Sequence, residues 1–303
     1  MIVRPPLHWL RMLFVWRGSV LPVIAPQLIT TTVFAIFVTM LHGSIMSWKV
    51  SLNFVPFSLI GLTLAIFLGF RNSTSYARFW EARTLWGALL IESRALTAQA
   101  LTVTSEPTQA RQLAYRLCAF VHALKHQLRG TSAQADLSAF LTPAEVDRIT
   151  QARFPSAVAL LLANEWVGDA LRKGAVAPAI VPVFEQCFAR LGAASGGCER
   201  IANTPIPFTY SVILHRSIYI YCFWLPFGLL DTIGLMTPVI VCFIAYTFFA
   251  LEALGAELEH PFGVEPNDLA LAGMTFALES SVVELLGEEP RTPKPEVQDY
   301  VLR

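Results

Sequence analysis

Long apolar runs alternate with charged stretches along this chain, and four of the runs approach or reach the length of a membrane span. They cover residues 20–41, 54–70, 208–230 and 233–254. A helix needs about 20 mainly apolar residues to cross the hydrocarbon core of a bilayer. Alternating patterns typical of strands are scarce. The pattern therefore predicts an all-α fold with four transmembrane helices in each chain.

The second apolar run passes directly into the charged stretch 71–83, which predicts one long helix, partly in lipid and partly in water. Leu62, Ile66 and Phe70 recur every four residues and share one face of this helix. Three such side chains around a pore axis would form a dry collar, and hydrophobic constrictions gate ions by dewetting. The alternative is that this face packs on a neighbouring helix, which is the usual role of an apolar stripe.

The third and fourth runs are separated only by Asp231 and Thr232, which predicts a tight helical hairpin. His215 and Arg216 interrupt the third run near its start. Ionisable side chains are costly at membrane depth, and near a helix end they reach the interface by snorkelling. We therefore expect His215 and Arg216 at the membrane surface.

Most of the charged residues lie between the second and third runs, where helical patterns cover residues 110–129, 156–173 and 178–191. This region is predicted to form a helical cytosolic domain. Ahead of the first run, residues 8–17 mix aromatic and basic side chains, which is typical of an interfacial helix. The tail at 291–303 is rich in proline and charge and is expected to be extended or disordered.

The patterns divide the chain into five segments with a predicted orientation. They are an interfacial segment at 1–19, two spans at 20–70, a cytosolic helical domain at 71–203, two spans at 204–255, and a cytosolic segment with the tail at 256–303. Arginines precede the first span and follow the second, whereas Lys49 is the single base between them. Because Lys and Arg are enriched on the cytoplasmic side, we expect both chain ends in the cytoplasm.

The composition supports a membrane protein and argues against several function classes. Hydrophobic residues make up 54% of the chain and charged residues 15%. A soluble domain has about a quarter of its residues charged. The formal net charge is zero, which gives no basis for a nucleic-acid partner. The sequence contains no HExxH, GxSxG or glycine-rich phosphate motif, so neither an enzyme nor a cofactor is predicted.

The cysteine and histidine positions predict no metal site. The five cysteines form no CxxC pair and are interpreted as reduced thiols. His122 and His126 lie one helical turn apart and would suit a metal, but no carboxylate or cysteine partner is evident nearby. We therefore favour a solvated helix face over a metal site for this pair.

Four motifs follow one another in the part of the chain between residues 18 and 271. They are RNSTSYARFWE at 71–81, TPIPFTY at 204–210, LPFGL at 225–229, and EHPFG at 259–263 followed by NDL at 267–269. These motifs resemble the signatures of bacterial bestrophins. The resemblance implies a homopentameric ion channel in the bacterial inner membrane, with one central pore that passes small monovalent ions.

The resemblance also assigns two constrictions. In bestrophins the second span lines the pore neck, and Leu62, Ile66 and Phe70 match its three apolar rings. The family has a further cytosolic aperture made by one apolar residue per subunit; the matching stretch is 177–182, in which we choose Ile180. Prolines on both sides of Ile180 predict a stiff turn at a helix start. The alternative for Ile180 is an ordinary core position.

Calcium activation is not expected from the sequence. Animal bestrophins open when calcium binds a clasp with a run of acidic residues, and the corresponding stretch here is 264–268. Glu265, Asn267 and Asp268 supply oxygen atoms, but Val264 and Pro266 replace acidic residues. Ca²⁺ takes six to eight oxygen ligands, so this stretch is a degenerate clasp. We expect Asp268 to cap a short helix instead.

The uncharged neck leaves the sign of the permeant ion open, and the bacterial character of the motifs favours a monovalent cation such as sodium. A chloride or other anion channel, as in animal bestrophins, is the first alternative. A secondary transporter is the second, although the four runs show no internal repeat of the kind transporters have. Arg71 would favour anions if it faced the lumen, whereas a buried or paired arginine is the expected case.

Overall fold

The structure is a computed structural model that describes residues 1–5, 8–42, 44–45, 48–49, 54–104 and 107–302. The helices are α1 (Trp9–Met12), α2 (Leu21–Met40), α3 (Phe54–Val103), α4 (Pro107–Arg129), α5 (Gln134–Leu137), α6 (Pro143–Thr150), α7 (Pro155–Arg172), α8 (Val181–Asn203), α9 (Phe208–Ile233), α10 (Thr237–Glu259) and α11 (Leu271–Glu284). Two short strands, β1 (Ser44–Ile45) and β2 (Trp48–Lys49), pair antiparallel. The predicted all-α fold is confirmed.

Three stretches of the described chain are long and apolar enough to cross a membrane: Leu21–Met40, Val55–Val103 and Phe208–Glu259. The last of them contains both α9 and α10. α3 is unbroken over 50 residues, which at 1.5 Å per residue gives a length of about 75 Å. The prediction that the second apolar run continues into the charged stretch as one helix is confirmed.

The chain divides into two compact units. The first, which we call the apolar unit, consists of Arg4–Phe79 and Pro205–His260. The second, the polar unit, consists of Met1–Val3, Trp80–Thr204 and Pro261–Arg303. α3 therefore contributes residues 54–79 to the apolar unit and residues 80–103 to the polar unit.

In the apolar unit α2 packs mainly on α10, and α9 packs on both. Leu68, Leu225 and Val241 are fully buried in their shared core. α3 approaches α9 closely at Gly228, where an added Cβ would lie 2.6 Å from Cδ2 of Phe57. Small residues allow such close approach between helices of membrane proteins.

The turn between α9 and α10 lies later in the chain than the sequence predicted. Asp231 and Thr232 belong to α9, and the chain reverses through a 3₁₀ turn at Gly234–Met236. Gly234 has φ 54°, in the left-handed region that glycine adopts without a clash of a Cβ atom. The helical hairpin is present, but glycine rather than the Asp-Thr pair ends the helix.

In the polar unit α4 packs mainly on α7 and α11, and α7 also packs on α8. Phe120, Trp166 and Phe184 are among the largest fully buried side chains. Three helices of this unit, α5, α6 and α11, were not predicted, and α8 is longer than the pattern at 178–191 indicated. α6 begins with a capping box in which Thr142 and Glu145 satisfy backbone donors at the helix start.

The tail forms no helix in the described residues 291–302, and specific contacts hold it in the polar unit. The backbone nitrogens of Arg291 and Thr292 lie 2.6 and 2.9 Å from Oε1 of Glu279. The guanidinium carbon of Arg291 lies 4.0 Å from the ring centroid of Tyr115. The disordered alternative for this segment is therefore wrong at these residues.

Candidate functional site

The predicted neck residues form an exposed apolar stripe on α3. Leu62, Ile66 and Phe70 are 60%, 50% and 64% exposed, whereas Leu64 and Leu68, which point away from this stripe, are 6% and 0% exposed. The stripe therefore lies on the surface of the described part of the chain. Exposed apolar side chains on a candidate span face lipid, another copy of the chain or a lumen, and their placement around a pore stays a prediction.

Glu259, at the end of α10, joins three of the four sequence motifs within the apolar unit. Its Oε2 lies 3.3 Å from Nη2 of Arg71, and its Oε1 accepts a hydrogen bond from the backbone nitrogen of Ile206 at 3.2 Å. Its carbonyl oxygen accepts from Nε of Arg78 at 3.4 Å. The motifs at 71–81, 204–210 and 259–263 thus meet at one carboxylate.

Arg71 is buried at 5% exposure, so it does not share the exposed stripe with Phe70. The expectation of a buried or paired arginine is confirmed, with Glu259 as its partner. A buried guanidinium requires such a partner because an isolated charge is costly away from water. Arg71 directly follows Phe70 in sequence. In the described residues its positive charge therefore does not lie beside the exposed stripe.

Ile180 ends a 3₁₀ turn at Pro178–Ile180 and directly precedes α8. The predicted turn at a helix start is confirmed, because Pro178 is the first residue of the 3₁₀ turn and Pro182 is the second residue of α8. Ile180 is only half-buried, while the nearby core position is Val176, at 2% exposure. The role of Ile180 in an aperture stays a prediction.

The degenerate clasp forms a tight turn in the loop between α10 and α11. Oδ2 of Asp268 accepts a hydrogen bond from the backbone nitrogen of Glu265 at 2.7 Å, and Asp268 is 4% exposed. Ala270, not Asp268, occupies the N-cap of α11. The prediction that Asp268 caps a helix is wrong, because its carboxylate is used inside the turn. Asn267 lies within the same turn.

A guanidinium group binds the backbone carbonyl oxygens around this turn. Arg129, in the last turn of α4, donates from Nε to the carbonyl of Phe262 at 3.3 Å. Its Nη2 donates to Gly263 at 3.1 Å and to Leu269 at 3.4 Å. Carbonyl oxygens are among the ligands that Ca²⁺ prefers, and here they accept hydrogen bonds from a side-chain cation.

His122 is the centre of a buried charged cluster in the polar unit. It is 2% exposed, and its Nδ1 lies 2.9 Å from Oδ2 of Asp136 while its Nε2 lies 3.1 Å from Oε2 of Glu279. Oδ2 of Asp136 also lies 2.6 Å from Nζ of Lys125 and 2.9 Å from Nε2 of His126. The solvated helix face favoured for this histidine pair is therefore wrong for His122, and α5 and α11 supply the carboxylates that sequence proximity did not show.

The hydrogen bonds of this cluster shift the acidities of both carboxyl groups. Hydrogen bonds from His122 and His126 hold the pKa of Asp136 far below its usual range. Burial by itself would raise the pKa of Glu279, but hydrogen bonds from His122 and Thr292 outweigh burial and the pKa is lowered. Both carboxyl groups are therefore charged at neutral pH. Among the described residues, no group of three or more His, Cys, Asp or Glu side chains is arranged so that it could hold a metal ion.

All five cysteines are free thiols, and four of them are buried. In the polar unit, burial raises the pKa of Cys118 well above its usual value and that of Cys198 to about 12. The thiolate is the reactive form of cysteine, so these two side chains act as small hydrophobic groups.

Sequence reasoning missed Glu259, Arg129 and the carboxylates beside His122. Glu259 had a sequence signal, because it begins the EHPFG motif and is an acid at the end of an apolar run. Arg129 and Glu279 had none, since their partners lie more than 100 residues away in the chain, as with Arg129 and Phe262 or Glu279 and His122.

This chain is similar to a family of membrane channels. A family model described as bacterial/fungal bestrophin protein matches residues 1–284. A voltage-dependent anion channel-forming protein of Ralstonia nicotianae is 45% identical over 100% of both chains. The voltage-dependent anion channel-forming protein YneE of Escherichia coli K12 is 39% identical over 95% of each chain.

Comparison with solved structures also shows similarity to bacterial bestrophins. A bacterial bestrophin homologue from Klebsiella pneumoniae superposes on this chain with a TM-score of 0.85 and is 38% identical in sequence. The match covers 88% of this chain and 100% of that chain.

Proposed function

The chain belongs to the bacterial and fungal bestrophin family and is a bacterial membrane ion channel rather than an enzyme, and we propose that five copies surround one central pore lined by α3. The observation that carries the proposal is the unbroken α3 with its exposed apolar stripe. Electron microscopy of the protein in lipid nanodiscs should show a five-fold particle with a single axial pore. A monomer, or a dimer with two separate pores, would contradict it.

The neck works as a dry barrier in this proposal. Five copies each of Leu62, Ile66 and Phe70 form three stacked apolar rings, and ions pass when water fills them. Replacing all three by alanine widens the collar and should raise conductance or open probability. Alanine at Ile60 and Phe67, which are exposed on another face of α3, is the matched control and should leave the current unchanged. Parent-like conduction by the triple variant would make the stripe a packing face.

A second constriction at Ile180 acts in series with the neck. Ile180→Ala should raise single-channel conductance or alter relative permeability, because the ring of five isoleucines narrows the cytosolic end of the pore. Val183→Ala is the control, since Val183 is an exposed apolar residue in the first turn of α8. Unchanged current and selectivity in Ile180→Ala would assign Ile180 to packing.

The permeant ion is a small monovalent cation such as sodium in this proposal. The neck stripe is uncharged, and Arg71 is buried against Glu259 instead of lying beside the stripe, which removes a candidate attractor for anions. Acidic residues in the wider parts of the pore then set the sign. Neutralising them should move the reversal potential toward zero in asymmetric sodium chloride.

An anion channel is the second candidate. The observation that favours it is the name of the relatives, which are called voltage-dependent anion channel-forming proteins. Reversal potentials of the purified protein in planar bilayers under asymmetric sodium chloride separate the two candidates. A value near the sodium equilibrium potential supports the cation channel, and a value near the chloride equilibrium potential supports the anion channel.

The channel opens without calcium in this proposal. Arg129 already donates to three carbonyl oxygens around the clasp turn, and Asp268 is held by the backbone of Glu265. Val264 and Pro266 have no side-chain oxygen to add. Current recorded during titration with micromolar calcium should stay constant.

Both chain ends lie in the cytoplasm, and the channel resides in the inner membrane. The basic residues before the first span and after the second support this orientation. The predicted segments at 1–19, 71–203 and 256–303 then lie on the cytoplasmic side, and those at 20–70 and 204–255 hold the four spans. Reporter fusions at the two ends should both be active in the cytoplasm, and a periplasmic signal from either end would reject the orientation.

A further inference from the structure

The residues that precede α2 are apolar, exposed and interrupted by arginines. We call residues 8–17 the entry segment, and its helical part is Trp9–Met12. Six large apolar side chains of this segment are exposed, from 47% for Leu10 to 84% for Phe14. They are Trp9, Leu10, Met12, Leu13, Phe14 and Trp16. Exposed apolar area of this kind marks a surface that contacts a membrane or another protein.

This apolar surface surrounds the entry segment instead of forming one face. Met12, Leu13 and Phe14 follow one another and are 62%, 65% and 84% exposed. The backbone keeps turning here, because the nitrogen of Phe14 donates to the carbonyl oxygen of Arg11 at 3.3 Å. Successive side chains in helical backbone are rotated by about 100°, so these three point to different sides. A protein surface would cover one side of such a segment, whereas lipid can contact all of them.

A compact turn fixes Trp16 close to the start of α2. Oγ of Ser19 donates to the carbonyl oxygen of Trp16 at 2.8 Å and accepts from the backbone nitrogen of Leu21 at 3.4 Å. Leu21 is the first residue of α2, which is long and apolar enough to cross a membrane. The five residues of chain from Trp16 to Leu21 span at most about 18 Å, so Trp16 lies near one end of this candidate span. Tryptophan is enriched at that depth, where the hydrocarbon meets the headgroups.

The charge of the entry segment gives the sign of the headgroup. Arg11 is exposed among the apolar side chains, and Arg17 is exposed directly after Trp16. The sequence has no Asp or Glu before Glu81, so the segment and α2 contain no acidic residue. Basic residues close to an anionic membrane surface are attracted to it. A short segment that combines them with tryptophan, phenylalanine and leucine is typical of an interfacial anchor.

We propose that the entry segment inserts its apolar side chains into the leaflet at the start of α2 and binds anionic phospholipids there through Arg11. The membrane supplies both parts of this contact, since it offers hydrocarbon to the apolar side chains and phosphate groups to the guanidinium. The contact fixes the position of the first span in the bilayer. The inference goes beyond channel function, since it holds whichever ion the pore conducts.

Fluorescence quenching of the full-length protein in vesicles tests the proposal. The vesicles contain equal amounts of phosphatidylglycerol and phosphatidylcholine, and the acyl chains of one lipid or the other carry bromine, which quenches tryptophan on contact. Both headgroups contain a phosphate, but phosphatidylcholine also carries a trimethylammonium group and has no net charge. A variant with Trp9→Phe and Trp16→Phe supplies the signal of the remaining tryptophans, which is subtracted.

Both brominated lipids should quench Trp9 and Trp16, and phosphatidylglycerol should quench them more strongly. One arginine near an anionic surface contributes about 1 kcal/mol, which corresponds to about a fivefold preference. Arg11→Gln should therefore lower the preference for phosphatidylglycerol about fivefold. Arg153→Gln, which changes an exposed arginine of the polar unit, is the matched control and should leave the preference unchanged.

A second pair of variants tests the apolar part of the contact. Leu13→Gln combined with Phe14→Gln should lower quenching by both lipids, because the polar side chains no longer enter the hydrocarbon. Phe154→Gln combined with Leu161→Gln is the control, since these two side chains are 55% and 50% exposed in the polar unit. Circular dichroism melting in detergent checks that each variant is folded.

Three outcomes would overturn the proposal. If neither brominated lipid quenched Trp9 and Trp16, the entry segment would lie outside the bilayer. Equal quenching by the two lipids in the unaltered protein, or an unchanged preference in Arg11→Gln, would reject the assignment to anionic lipid. A lower subunit number in the variant with Leu13→Gln and Phe14→Gln, without any quenching in the unaltered protein, would assign the segment to contact with a second copy of the chain.

Discussion

The apolar unit and the polar unit bury charge in different ways. In the apolar unit Arg71 and Glu259 form a pair of one cation and one anion at 5% and 7% exposure. In the polar unit His122 bridges two carboxylates, and Glu279, at 0% exposure, accepts hydrogen bonds from residues of α4 and of the tail. The first arrangement has one carboxylate and one buried guanidinium, whereas the second shares several donors between two carboxylates and so forms a network.

The two units also differ in how many of their large apolar side chains are buried within one chain. Side chains of the apolar unit such as Phe243 and Leu62 are 69% and 60% exposed, while Phe120 and Phe184 of the polar unit are fully buried. Exposed apolar area of this extent is typical of surfaces that contact lipid or protein. We infer that the polar unit depends on its own side-chain network, and the apolar unit on close helix packing and on its surroundings.

The largest expected effect is the loss of the network at Glu279. Glu279→Ala leaves Nε2 of His122 and the backbone donors of Arg291 and Thr292 without an acceptor that is itself 0% exposed. Breaking a buried charged arrangement by removing one partner costs about 3–5 kcal/mol. Hydrogen exchange should become faster in peptides from α4 and α11, while peptides from α9 and α10 keep their protection.

Glu284→Ala is the matched control for this experiment. Glu284 ends the same helix and is exposed. A surface substitution of this kind changes stability by about 0.5 kcal/mol or less. If Glu279→Ala and Glu284→Ala behaved alike, the network would contribute nothing and the contrast between the two units would fail.

Acidification should weaken the same network by a smaller amount. The pKa values of Asp136 and Glu279 are lower in the folded chain than in the unfolded chain. Their contribution to stability is therefore complete above the ordinary carboxyl pKa of about 4 and is lost as the pH falls through the lower folded values. A protonated carboxyl keeps its shape and one acceptor oxygen, so the loss should be smaller than in Glu279→Ala.

Hydrogen exchange corrected for its intrinsic pH dependence measures this effect. Peptides from α4 and α11 should lose protection on acidification below about pH 4, and Asp136→Asn should reduce that dependence because the amide does not titrate. Protection that stays constant across the same pH range in the unaltered protein would show that the two charges do not stabilise the polar unit.

The sequence predicted the apolar unit better than the polar unit, for a physical reason. Membrane-spanning runs are set by local composition, so α2, α9 and the start of α3 followed from the apolar runs alone. The turn after α9 was misplaced because Asp231 and Thr232 continue the helix, and only the backbone angle of Gly234 ends it. Gly228 lies six residues earlier inside α9, so a glycine in this stretch does not by itself mark the end of the helix.

The buried network could not be predicted because its members are distant in the chain. Asp136 follows His122 by 14 residues and Glu279 follows it by 157. A histidine pair at helical spacing is compatible with a solvated face until the partners are known. For the candidate pore, periodicity identified the exposed stripe of Leu62, Ile66 and Phe70. The position of this stripe relative to other copies of the chain depends on how the copies assemble, and the sequence of one chain does not show that.

Close packing in the apolar unit is tested by adding a single methyl group. Gly228→Ala places a Cβ 2.6 Å from Cδ2 of Phe57, so the ring or the helix must move. Overpacking of this kind costs about 1–3 kcal/mol. The melting temperature in detergent should fall, and Phe57→Leu in the same chain should restore part of the loss.

Gly196→Ala provides the comparison, because nothing lies within 4 Å of the added atom and alanine favours helix. It should leave the melting temperature unchanged or raise it slightly. Equal melting temperatures for Gly228→Ala and the unaltered protein would mean that α3 and α9 have room to separate, and that close packing does not hold the apolar unit.

The smallest expected effect concerns calcium and the loop between α10 and α11, where Arg129 of the polar unit donates hydrogen bonds to backbone carbonyl oxygens. Arg129→Gln removes the charge that binds the carbonyls of Phe262, Gly263 and Leu269 and should speed hydrogen exchange in that loop. It should not create a calcium response, because Ca²⁺ takes six to eight oxygen ligands and two clasp positions, Val264 and Pro266, have no side-chain oxygen. Arg153→Gln, an exposed arginine of the same unit, is the control and should leave the loop unchanged. A current that rises with micromolar calcium in the unaltered protein and disappears in Asp268→Ala would show that backbone oxygens complete a calcium site despite Arg129.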